Sequence, residues 1–73
     1  MLKETLKEMG KVCQNRKVCE EFRNFHRQRF MEMTGLNWEQ ADAHRNRFLF
    51  WTDKIALMNE HIQQLHERIQ GVA

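Results

Sequence analysis

Met33-Thr34-Gly35-Leu36-Asn37-Trp38-Glu39-Gln40 is the stretch whose punctuation sets the architecture. Gly35 suits the left-handed position just past a helix end, where a side chain would clash. Asn37 suits a helix N-cap, and Gln40 follows at the position where a capping box wants Glu or Gln. Leu36 and Ala41 occupy the positions of a hydrophobic staple. One helix therefore stops and another starts within about three residues, which forces an antiparallel helical hairpin. The expected elements are a helix over about 2–34, a turn at 35–37 and a helix over about 38–70.

C-terminal to the turn, Ala41, Phe48, Ile55, Ile62 and Ile69 recur at a seven-residue spacing, and His44, Trp51, Met58, Leu65 and Val72 follow each by three. Those are the a and d rows of a heptad lattice, a seam built to meet another helix. The flanking e and g positions hold Arg45, Thr52, Asn59, His66, Arg47, Lys54, His61 and Arg68, with no acid among them. A parallel zipper of this segment with itself would set basic against basic. An antiparallel neighbour from the same chain avoids that.

The N-terminal half is less regular. At 3.6 residues per turn, Leu2, Leu6, Met9 and Cys13 lie on one side, with Val18, Phe22, Phe25 and Met33 nearly opposite. At 3.5 residues per turn the conflict eases: Val12, Cys19, His26 and Met33 form one row, flanked by Leu2, Met9, Phe22 and Phe30. One long helix follows from the second reading, with Gly10 as the place for a bend. Folding the halves about Gly35 sets Met33 near Trp38, Phe30 near Ala41, His26 near His44, Cys19 near Trp51 and Met9 near Ile62.

The chain has 73 residues, no proline, three glycines and few β-branched residues outside the heptad rows, an all-helical composition. A chain of this size buries only ~60% of the surface its unfolded form exposes and needs staples. Cys13 and Cys19 point in different directions on a helix and do not bridge locally. Packing and oligomerisation remain. Phe50 lies well round from the seam, with Ala43 seven before it and Leu57 seven after. Burying a Phe or a Leu is worth about 1.5–3 kcal/mol, so this stripe calls for a second neighbour. A dimeric four-helix bundle of two hairpins supplies one. Phe50, Leu57, Trp51 and Phe48 are the expected interface or docking stripe; a bent N-terminal segment folded over Phe50 and Leu57 is the intramolecular alternative.

Enzymatic motifs are missing. There is no Gly-rich phosphate loop, no Ser-His-acid order and no paired carboxylates in a recognisable pocket, and neither cysteine has a histidine in local reach to act as a base. His61 and His66 are five apart, the wrong spacing for one metal ion. His26, His44 and Cys19 fall short of the four ligands of a structural zinc site. No metal, cofactor or small-molecule substrate is expected; a facing His26–His44 pair would be a polar layer that weakens near pH 6 when both rings are charged.

Residues 23–47 carry the chain's whole surplus of +2: Arg23, Arg27, Arg29, Arg45 and Arg47 against Glu32, Glu39 and Asp42. A hairpin gathers these arginines at the turn end, where guanidinium forks suit carboxylates and phosphates. The expectation is a small non-enzymatic interaction module, a homodimeric regulator, adaptor or inhibitor that binds another protein through its basic end and apolar stripe. Binding of structured RNA or DNA by the same arginines is the alternative. The opening residues carry no apolar run, nothing approaches a membrane span, and two unbridged cysteines fit a reducing compartment, so a complete cytoplasmic chain is expected.

Overall fold

The computed structural model describes residues 2–72, excluding the side chain of Val72. It contains α1 (Leu2–Met33) and α2 (Trp38–Val72), folded into an antiparallel hairpin measuring 55 × 14 × 11 Å. The long dimension is that of a single helix of this length at ~1.5 Å per residue. The described chain is all-helical. No described helix is long and apolar enough to cross a membrane.

The turn is built as the residues require, with two differences. Gly35 has φ 87° and is the third residue of a four-residue turn closed by the Leu36 N–H donating to the Met33 carbonyl at 2.9 Å. That position takes positive φ in a type II turn, which glycine supplies without strain. Thr34 ends α1 by giving both its N–H (3.0 Å) and its hydroxyl (2.7 Å) to the Phe30 carbonyl. Asn37 caps α2, its Oδ1 accepting the Gln40 N–H at 3.2 Å. The reciprocal half of the capping box is not used: the Asn37 N–H already donates to the Met33 carbonyl at 2.9 Å. The staple does not close either, since Leu36 remains 81% exposed.

The α2 seam follows the heptad rows. Ala41, Ile55 and Leu65 are buried, and His44, Phe48, Trp51, Met58, Ile62 and Ile69 are half-buried. On α1 the covered line is Thr5, Met9, Val12, Arg16, Cys19, Arg23, His26, Phe30 and Met33, alternating steps of four and three. This is the 3.5-residue reading, with Thr5, Arg16 and Arg23 joining the row expected from Val12, Cys19, His26 and Met33. Arg16 reaches across to donate from Nη1 to Asn59 Oδ1 at 3.0 Å. Its aliphatic stem lies along the seam while its charge stays near water. Leu2 and Phe22, expected to flank the row, are 44% and 47% exposed.

Helix α1 runs unbroken through Gly10, and a Cβ built there meets nothing within 4 Å. No break separates its two ends, and no N-terminal segment folds back over Phe50 and Leu57. Both remain more than half exposed, at 53% and 65%. The intramolecular alternative for covering that stripe is therefore removed.

The two described glycines that matter differ in sign. Gly10→Ala gains helix propensity of ~1 kcal/mol, and Gly35→Ala forces a side chain into the left-handed region at a cost of about 1–2 kcal/mol. Thermal unfolding followed by far-ultraviolet circular dichroism should show Tm rising for Gly10→Ala and falling for Gly35→Ala, by about 4–8 °C per kcal/mol in a chain of this size.

Candidate interaction surfaces

Two helices share one line of contact, so the residues beside that line form two long faces. The first is aromatic. Phe22 of α1 stacks on Trp51 of α2 with centroids 5.0 Å apart and planes at 16°. Phe50 meets the edge of Trp51 at 5.0 Å and 78°. Lys54 Nζ lies 5.6 Å from both the Phe50 and the Trp51 ring centres. Val18, Phe22 and Phe25 line one groove with Glu21 and His26, at spacings of four and three that put them on one side of α1. Leu57 extends the face one heptad beyond Phe50. Val18, Phe22, Phe25, Phe50 and Leu57 are each between 47% and 65% exposed. Under this face the Trp51 Nε1 is buried without a partner, a cost of about 1–3 kcal/mol.

The second face is a groove on the opposite side of the seam. Arg27, Phe30 and Met31 of α1 line it together with Arg45, Phe48 and Leu49 of α2. Phe48 therefore leaves the group with which it was expected: Phe50, Trp51 and Leu57 share the aromatic face, while Phe48 turns to the groove. The arginines divide as well. Arg27 and Arg45 come together. Arg29 is held by Glu32, Nη1 to Oε2 at 3.1 Å. Arg23 lies half-buried in the seam and donates to Asn24 Oδ1 at 3.3 Å. Arg47 acts electrostatically on His26. Five arginines gather at one end of the hairpin as a set of separate roles.

Val18, Phe22 and Phe25 were missed as members of the first face, and Met31 and Leu49 as members of the second. For the first three, the signal was present. Their 3.6-residue alignment, opposite Leu2, Leu6, Met9 and Cys13, marks a second surface on the same helix.

Between the faces, His26 and His44 meet as the folding-back predicts, Nδ1 to Nδ1 at 2.9 Å. One ring must donate and the other accept, so the contact needs opposite tautomers and at least one neutral ring. Phe25 presents an edge to both, at 5.2 and 6.3 Å. Burial, then the neighbouring His44, then Arg47 hold the His26 pKa below its usual 6.5. No group of three or more side chains able to hold a metal ion occurs among the described residues. Cys19 is 6% exposed and packs in the seam; Cys13 is half-buried, and both are thiols.

Comparison with known protein families, curated proteins and solved structures finds no match to this chain.

The depressed His26 pKa fixes the sign of a pH effect. Above about pH 6.5 both folded and unfolded chains hold a neutral His26, and its contribution to stability is intact. As pH falls, the unfolded chain binds the proton first and stability is lost. The urea midpoint should fall between about pH 7.5 and 5.5, and His26→Asn should flatten that slope.

Proposed function

We propose that the chain is a small non-enzymatic interaction module, a cytoplasmic regulator, adaptor or inhibitor. It pairs with a second copy through the aromatic face, completing a four-helix bundle, and meets a protein partner through its arginine-bearing end. The observation that carries this reading is the uncovered run of Val18, Phe22, Phe25, Phe50 and Leu57, contributed by both helices and tied together by the Trp51 ring. Burying such side chains is worth about 1.5–3 kcal/mol each, a large gain for a hairpin in which only four of the described apolar residues are buried.

Charge supports a second copy as the cover. Glu21 lines the aromatic face on the α1 side, and Lys54 stands over it on the α2 side. A two-fold axis along the hairpin lays α1 of one copy on α2 of the other and brings acid to base at both edges. Laying α2 on α2 would instead oppose Arg47 and Lys54 to their own copies, a repulsive arrangement. Closed two-fold pairs are also the commonest assembly. The non-enzymatic part of the reading rests on the sequence, where no nucleophile has a base in reach, and the cytoplasmic part on two cysteines carried as thiols.

Light scattering on the purified chain should give twice the mass of one chain. Phe50→Glu combined with Leu57→Glu should shift that mass to the monomer while helicity is retained, because neither side chain belongs to the seam. A dimer that persists in the double variant would remove the aromatic face from the assembly.

A further inference from the structure

We propose that the groove between Arg27 and Arg45 docks an acidic peptide segment of a partner protein. One large apolar side chain of that segment lies on the floor, and a carboxylate meets each guanidinium. This deepens the reading of the chain as an interaction module, and it uses the face that the second copy leaves open. Met31 and Leu49 are 64% and 43% exposed on the groove, with Phe30 and Phe48 half-buried beneath. The floor is thus apolar, wet and wide enough for a side chain.

The two rims carry charge with nothing to neutralise it. Among the described residues, Arg16 has Glu20 at 3.7 Å and Arg29 has Glu32 at 3.1 Å, but neither Arg27 nor Arg45 has a carboxylate partner. Asp42, three residues before Arg45, is exposed and makes no ion pair with it. Guanidinium forks take carboxylates in two parallel hydrogen bonds, and one fork on each helix fixes the direction of a ligand lying between them. An RNA backbone fits less well. It needs a row of cations at phosphate spacing, and it would leave the apolar floor under phosphates. An amphipathic acidic segment satisfies floor and rims together.

The test is a random peptide library displayed on phage and selected on the wild-type protein. Enriched peptides should carry a large apolar residue flanked on both sides by Glu or Asp. Synthesised with a fluorescent label, they should bind at least about tenfold more weakly to Arg27→Gln with Arg45→Gln, a loss of ~1.4 kcal/mol, and equally well to Arg29→Gln. Circular dichroism should show the double variant as helical as the wild type, since both side chains are exposed. No enrichment, enrichment of peptides without acids, or binders indifferent to Arg27 and Arg45 would overturn the proposal. So would a structured RNA hairpin that binds more tightly than any selected peptide and depends on the same arginines. The mass of each variant is read separately by light scattering. A failed groove with an intact dimer, and a lost dimer with an intact groove, are therefore different results.

Discussion

Two helices lying side by side touch along one stripe each, and nearly everything else in this molecule follows from that limit. A stripe of alternating steps of three and four can be covered by the opposite helix; a residue one position further round cannot. Burial is accordingly confined to Cys19, Ala41, Ile55 and Leu65 among the described apolar residues, and of these only Leu65 is fully enclosed. The remaining seam positions are half-open to water. Among the described residues no third wall covers the flanks of the seam.

The helices answer this limit differently. In α2 the apolar weight lies on the seam: every described a and d position except His44 is apolar. In α1 the seam admits Thr5, Arg16, Arg23 and His26, while Leu6, Val18, Phe22, Phe25 and Met31 lie off it and are exposed. That displacement explains which parts of the fold were legible. The turn could be read from Gly35 and Asn37 because positive φ and capping are local demands. The α2 lattice could be read because pattern and contact coincide. The path of α1 was ambiguous because its strongest hydrophobic period points away from its only neighbour within the chain. Arg16 and Arg23 in the seam were not foreseen, since the length that lets an arginine lie along an interface and still reach water leaves no mark on periodicity.

The same asymmetry accounts for what was and was not legible at the surfaces. Phe50 and Leu57 could be identified from α2 alone, as residues off a well-defined seam. Their partners on the other helix could not, because the face exists only once Phe22 is set over Trp51 in three dimensions. Residues 23–47 are basic by composition, and composition makes their five arginines equal. Geometry separates them through their neighbours: a carboxylate one turn away holds Arg29, an asparagine holds Arg23, and only Arg27 and Arg45 combine free charge with an apolar floor between them.

A seam this narrow leaves register weakly determined by hydrophobic burial, since sliding one apolar row past another exposes little that was not already half exposed. The polar contacts across the hairpin supply the missing specification. His26 meets His44 near the turn, Arg16 meets Asn59 in the open half, and Glu8 meets His61 at 3.2 Å towards the free ends. Exposed pairs of this kind contribute ~0–1 kcal/mol each, too little to hold the fold. A shift of register, however, breaks all of them at once. The imidazole pair is the strictest, because its hydrogen bond needs complementary tautomers within one layer and no neighbouring layer offers a second histidine. Fixing register is the best-attested use of polar groups set in a helical seam, and these side chains do so while still partly open to water. Here they keep Phe22 opposite Trp51, and with that alignment the aromatic face remains a single surface rather than two unrelated helix flanks.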